Sequence, residues 1–247
     1  ASSEEPEFLV ENVQHELFLK HWRSLGIDES LCVDLSGLAS GLSKDVRAWA
    51  IKYHNFDPAS GDEYKIQGSD NDLCGSGTPA SGDVDDDIVP TEEIAVGFFN
   101  SVKAFDFWRF ILDSSVSKGS GGYQRIGRLF LGDYFEPKFD VTITPEVIEA
   151  DDSDLVSTRQ GQDYANVITQ YEIVTYVWRI LPAADIAKMK EIYRTVGRHK
   201  PFFVCEDADA PSGAFTVTRY VKNIEPWVFG PVVHGWGSVI VRVKTER

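Results

Sequence analysis

The sequence predicts a mainly β protein: a β-sandwich, then a second β region flanked by one helix. Three observations carry this. About ten short runs rich in β-branched and aromatic residues are separated by clusters of Gly, Pro, Asn, Asp and Ser. Only one stretch keeps helical spacing over several turns. The regular alternation of strands and helices that builds a parallel sheet is absent. Of the 247 residues, 43% are hydrophobic and 12% aromatic, enough to fill a core, which excludes wholesale disorder.

Taken in order, residues 8–25 supply Phe8, Leu9, Leu17, Phe18, Trp22 and Leu25 without a clean period, and read as a short helix or an irregular arm. Residues 46–53 (VRAWAIKY) read as a strand that ends at His54-Asn55-Phe56-Asp57-Pro58, and residues 64–68 (YKIQG) as the next. Residues 68–90 read as one long loop, of the kind that carries function or moves. Residues 105–112 (FDFWRFIL) and 123–131 (YQRIGRLFL) read as the two arms of a hairpin, joined by the Gly- and Ser-rich residues 114–122. In residues 167–180 the alternate positions Val167, Thr169, Tyr171, Ile173, Thr175 and Val177 suit one face of a sheet. After Pro182, Ile186, Met189, Ile192, Tyr193 and Val196 recur at helical spacing, and Gly197 marks the stop. Residues 202–205, 215–221 and 239–243 read as further strands. In the last, Val239, Val241 and Val243 face one way and Ile240, Arg242 and Lys244 the other.

Charge is divided unevenly. Residues 1–150 hold 27 acids and 12 bases, a balance of −15, and residues 151–247 hold 12 of each, a balance of zero. The excess of acid and the lack of a Lys/Arg cluster argue against nucleic acid and against an anionic membrane surface as partners. The neutral part is better suited to packing against neighbours. No stretch reaches the roughly 18–20 apolar residues of a membrane span. The acidic, polar start, Ala1-Ser2-Ser3-Glu4-Glu5, is unlike a signal peptide, so folding in a cytoplasm is the expectation. Cys32, Cys74 and Cys205 are far apart, with no C-x-x-C. Three thiols in or near the core is the expectation, and one disulfide plus a thiol the alternative.

No local pattern announces catalysis. The sequence lacks G-x-S-x-G, H-E-x-x-H, a P-loop and a dinucleotide fingerprint. Gly119-Ser120-Gly121-Gly122 leads into a strand rather than a helix, so it does not read as a phosphate loop. None of His15, His21, His54, His199 and His234 is spaced as a ligand pair, and His54-Asn55 reads as a pair that holds a turn. Asp83, Asp85, Asp86 and Asp87 read as a solvated acidic loop, a calcium cradle being the alternative without the EF-hand spacing. Trp49, Trp108 and Trp178 lie in apolar strands and read as core. Stacking on sugars is the alternative for them and for Trp227 and Trp236. A dispersed carboxylate pair for glycoside hydrolysis leaves no local signature.

Two segments carry a resemblance. Residues 49–56 (WAIKYHNF) followed by residues 64–70 (YKIQGSD) resemble the opening of galactose-binding-like, discoidin-type jelly rolls. Residues 107–113 (FWRFILD) and 122–132 (GYQRIGRLFLG) look like the later hairpin of that domain, and IGRLFLG is similar to tail-region proteins of long-tailed bacteriophages. The resemblance implies an N-terminal arm at 1–39, a galactose-binding-like jelly roll at 40–150, and a β-sandwich with one helix at 151–247, of tail-tube or distal-tail type. It also implies a non-enzymatic virion structural protein of a tail tip or baseplate. Its partners are then copies of itself, neighbouring tail proteins and host surface glycan; cofactors and membrane insertion are not expected. It would be made in the host cytoplasm and reside in the virion. A carbohydrate-binding module or adhesin is the alternative. In either case the glycan-facing residues are expected at the strand ends and loops: His54, Asn55, Asp57, Asp70 and Asp72.

Overall fold

The computed structural model describes residues 22–23, 28–37, 44–56, 63–74, 77–88, 94–113, 125–141, 144–157, 163–206 and 218–246. Among them are fifteen strands and one helix. The chain divides into two compact units. The first is Ala1–Tyr134 with Cys205–Thr218, the second Phe135–Val204 with Arg219–Arg247.

The first unit is a jelly-roll type β-sandwich. One sheet has the order β2 (Asp28–Asp34), β7 (Phe107–Asp113), β4 (Glu63–Ser69), β5 (Val84–Asp87). The other has β6 (Ile94–Lys103), β3 (Val46–Lys52), β9 (Arg128–Gly132). A two-residue pair, β1 (Trp22–Arg23) with β8 (Arg125–Ile126), lies beside them. The pairings between these strands are antiparallel. The core is made by one face of each sheet. Leu31, Tyr64, Ile66, Val84, Trp108, Phe110 and Leu112 come from the first, and Trp49, Ile51, Ala95 and Phe99 from the second. These residues alternate along their strands, as a pleated sheet with one face inward requires.

In each sheet a tryptophan faces a glycine across the ladder: Trp49 opposite Gly97, Trp108 opposite Gly68. A Cβ on Gly97 would lie 2.5 Å from the Trp49 indole, and one on Gly68 2.9 Å from that of Trp108. The rings lie flat over the neighbouring strand, where only hydrogen fits.

Three expectations change here. Asp28–Asp34, read as part of an N-terminal arm, is a strand at the edge of its sheet, paired with β7; residues 1–21 lie outside the described residues. The loop over 68–90 is interrupted by β5, so Asp85, Asp86 and Asp87 are strand residues paired with β4. The hairpin of residues 105–131 does not form. β7 pairs with β2 and β4, and β9 pairs with β3, so the two apolar runs lie in opposite sheets of the sandwich. Adjacent apolar runs pair across a short turn only if their faces belong to the same sheet; here each run is drawn to a different sheet by its own partners.

The second unit is a six-stranded antiparallel sheet, β10 (Glu146–Ser157), β11 (Asp163–Pro182), β15 (Trp236–Thr245), β13 (Thr218–Asn223), β12 (Phe202–Cys205), with β14 (Val228–Phe229) also on β15. The helix α1 (Ala183–Val196) flanks it. Ile186 and Met189 of α1 pack with Val174, Tyr176, Val221, Val239, Val241 and Val243. The valine face of β15 is thus inward, as its alternation predicts. On β11 the inward set is Val174, Tyr176 and Trp178, matched to Val243, Val241 and Val239. The Tyr171, Ile173, Thr175, Val177 set takes the other face, half-buried. The helix begins after Pro182, whose φ of −60° suits a helix start, and stops at Gly197 with φ 56°. Buried Asn223 ties this end down. Its side-chain amide donates to the Gly197 carbonyl, and its oxygen accepts from Trp227 Nε1 at 2.6 Å.

Adding one methyl at the closest Trp–Gly contact tests the packing of the sandwich. Gly97→Ala is expected to lower unfolding free energy by about 1–3 kcal/mol through overpacking, read by urea denaturation. An unchanged midpoint would mean the Trp49 ring can move aside at no cost.

Candidate functional site

The sandwich has two ends, and the expected site residues are split between them. Register fixes which end each occupies. Lys52, at the close of β3, pairs with Ile94 and Arg128, while Ser69, at the close of β4, pairs with Phe107. Since Val46 at the other end of β3 pairs with Lys103, just before Phe105 and Asp106, the Ser69 end is opposite the Lys52 end. His54 and Asn55 therefore stand at one end, Asp70 and Asp72 at the other. Asp57 lies outside the described residues.

At the Asp70 end the loop after β4 is held by its own polar groups. Asn71 N donates to Ser69 Oγ at 3.0 Å, Cys74 N to Asp72 Oδ1 at 3.0 Å, and Gly77 N to the Asp72 carbonyl at 3.0 Å. Asn71 Nδ2 donates to the Thr78 carbonyl at 2.9 Å, and Ala80 N to Asp83 Oδ2 at 2.8 Å. Asp70 Oδ1 accepts from Asp106 N at 3.1 Å, and Asp106 pairs with Lys44. Ser and Asp are the residues that make such local turns, because their short side chains reach backbone amides two or three positions on.

This loop is also covalently fixed. Cys32 of β2 and Cys74 form a disulfide across 42 residues of chain, so the expectation of three thiols is corrected; Cys205 keeps its thiol. No spacing pattern betrayed the pair, because β7 lies between β2 and the loop's parent strand in the sheet. On the outer face, Cys32, Arg109, Gln67 and Asp85 form one cross-strand row. Arg109 Nη2 and Nε donate to Gln67 Oε1 at 2.6 and 2.9 Å, Gln67 Nε2 donates to Asp85 Oδ1 at 2.9 Å, and Arg109 Nη1 reaches the Leu73 carbonyl at 3.2 Å. Leu73 itself is buried beneath the loop. The aspartates are spread along β5 rather than gathered. Among the described residues no group of three or more His, Cys, Asp or Glu side chains is placed to hold a metal ion.

At the opposite end His54 is buried, 7% exposed, and stacks on Phe56, which stacks on Tyr64, at centroid distances of 4.5 and 4.4 Å. Its side chain is turned into the sandwich rather than exposed on a loop surface. Its Nδ1 accepts from Phe56 N at 3.3 Å. Burial, and next the charge of Arg125, push its pKa down to about 4. Asn55 Oδ1 accepts from Arg125 N at 2.7 Å. Both residues thus hold a turn, as the sequence reading had it for this pair.

In the second unit, Glu149, Ala150, Asp151, Gln170, Tyr171 and Glu172 line a polar groove of about 280 Å³. Tyr171 Oη donates to Asp152 Oδ1 at 3.1 Å, which raises the phenol's pKa, and Lys244 Nζ lies 5.2 Å from its ring centre. Of the five tryptophans read as core or sugar platform, Trp49, Trp108 and Trp227 are buried, Trp178 packs partly against the core, and Trp236 is 43% exposed beside Phe139.

No protein-family model matches the chain, and no curated protein does. Two solved structures are similar over about half of it. One is the family 32 carbohydrate-binding module of C. perfringens NanJ in complex with galactose, at 17% identity and TM-score 0.38, covering 53% of this chain and 88% of that one. The other is the first family 32 module from a family 31 glycoside hydrolase of Clostridium perfringens, at 10% identity and TM-score 0.36, covering 54% and 90%. Neither neighbour is a tail or baseplate protein, and at this similarity neither bears on what the chain binds.

Two measurements follow from the two ends. The disulfide closes a 42-residue separation, for which chain entropy gives about 4 kcal/mol. Cys32→Ser with Cys74→Ser is expected to lose stability of that order in chemical denaturation, and a loss under about 1 kcal/mol would mean the loop is held without the bond. For His54 the native pKa lies below the unfolded value of about 6.5, so the native state disfavours the proton. Its contribution is whole above pH 6.5 and is lost as pH falls from there toward 4, by about 3 kcal/mol. The slope of unfolding free energy between pH 7 and 4.5 should flatten in His54→Gln. Equal slopes for the two proteins would refute a neutral buried imidazole.

Proposed function

We propose that the protein is a non-catalytic recognition module that binds glycan through the loop after β4. One observation carries the reading: a loop dense in polar side chains is frozen before any ligand arrives, by the Cys32–Cys74 disulfide and by its own side-chain-to-backbone hydrogen bonds. Loops on a rigid scaffold are where binding residues concentrate, and a loop already ordered loses little entropy when it binds. Its exposed rim, Asp70, Asn71, Asp72, Thr78 and Ser81, is rich in acceptors that suit the hydroxyl donors of sugars. A disulfide persists where thiols are not kept reduced, so the proposed place of work is outside a reducing cytoplasm, at a cell or particle surface.

A second reading keeps one observation of its own. Ile180, Val228, Val232, Val233, Trp236 and Ile240 of the second unit are exposed, which suits the packing of copies into an assembly such as a tail ring.

The test uses the whole oxidised chain. Saturable binding on a glycan array, weakened about tenfold or more (~1.4 kcal/mol) in Asn71→Ala and in the double cysteine variant, is the expected result. No glycan bound, together with a discrete oligomer by light scattering, would replace this reading with the assembly one.

A further inference from the structure

We propose that the end of the first unit at His54 and Arg125 is a binding site for an oxyanion, a carboxylate, sulfate or phosphate group, separate from the loop after β4. Two buried donor atoms there, His54 Nε2 and Arg125 Nε, meet no acceptor among the described residues. Their state follows from their neighbours. Nδ1 of His54 takes the Phe56 amide, so it is the unprotonated nitrogen, and the neutral ring carries its hydrogen on Nε2. Nε2–H is therefore a donor aimed into the end of the sandwich, on a side chain more than nine-tenths buried. Arg125 is placed beside it by the pairing of β8 with β1 and by Asn55, and its charge reaches the His54 ring.

Unmet buried donors are costly, the more so on a charged group, and half-buried Arg125 has its Nε enclosed. A water satisfies two N–H groups but leaves the charge uncompensated; an oxyanion does both. Further bases stand at this end. Lys52 and Arg128 are cross-strand partners at this same end, both under 6% exposed and with contacts of their own. This gathers three cations in a unit whose sequence is strongly acidic. Between Lys52 and His54, Tyr53 takes φ 59°, a left-handed conformation that an aromatic side chain rarely accepts. Such strain is held by surrounding structure and concentrates at ligand sites. Here it turns the chain at the end of β3 so that His54 enters the sandwich.

Thermal unfolding at fixed ionic strength, with chloride replaced stepwise by acetate, sulfate or phosphate, tests this. The melting temperature of the wild-type chain is expected to rise saturably by several degrees, as for a ligand of the native state. The rise should be absent in Arg125→Gln and present in Lys138→Gln, a control in the other unit. Acetate acting alone would assign a carboxylate ligand; sulfate and phosphate acting alone, a tetrahedral one. Should Arg125→Gln fail to fold, the His54 Nε2–H resonance of the wild type serves instead, and it must shift on anion titration. Equal responses of wild type and Arg125→Gln, or a resonance that ignores every anion, overturn the proposal.

Discussion

The sandwich depends on two tryptophan–glycine pairs, one in each sheet. Trp108 and Trp49 are the bulkiest inward residues, and each faces a glycine directly across its ladder. Because no Cβ stands on Gly68 or Gly97, each ring lies over the adjacent strand rather than standing up between the sheets. That spares the roughly 10 Å separation of packed sheets and lets Phe110, Ile66 and Leu31 meet Ile51 and Ala95 in the same core. Losing this arrangement at either pair would lift one sheet locally, and both ends of the sandwich are set by how the sheets close.

The two ends spend their polar groups differently. At the Asp70 end the polar side chains Ser69, Asn71, Asp72 and Asp83 hydrogen-bond to the loop's own backbone, so the loop has one shape. At the His54 end two enclosed donors, His54 Nε2 and Arg125 Nε, meet no acceptor among the described residues. Under the two proposals the ends would take different chemistry: hydroxyl groups at the acceptor-rich rim, negatively charged oxygen at the enclosed donors.

The strands with a firm inside-outside rhythm were legible in the sequence. Val239, Val241 and Val243 alternate and are inward, and Ile186 and Met189 at helical spacing face the sheet, as the periodicity predicts. β6 and β10 were missed for physical reasons. In β6, residues on both faces are partly or fully buried, Ala95 and Phe99 inward, Val96 outward, so no alternation shows. β10 is an edge strand carrying Glu146, Glu149, Asp151 and Asp152, a composition that reads as loop. Asn55 and His54 were noticed at the correct turn, yet the burial of His54 was not readable from a dipeptide, because it comes from Phe56 and Tyr64 stacking over it. Arg125 was missed altogether. A single arginine in the string QRIGR carries no signal until the fold brings it to His54 from 71 positions away in sequence.

The placement of the acids explains how a chain of net charge −15 can place Lys52, Arg125 and Arg128 together at one end of the sandwich. Asp85, Asp86 and Asp87 lie on β5, the outer strand of its sheet, and the acids of β10 lie on the outer strand of theirs. An exposed edge offers unpaired amides and carbonyls to any passing strand, and like charges along it repel a second copy. The acidic excess thus serves edges and loop turns, where solvent screens it over about 8–10 Å. The buried bases Lys52 and Arg128, and Arg125, half-buried with its Nε enclosed, are less screened. Net charge is set by the many acids at edges and turns, whereas the field at the proposed anion site would be set by the few groups nearest to it, and there the proposal needs the sign to be reversed.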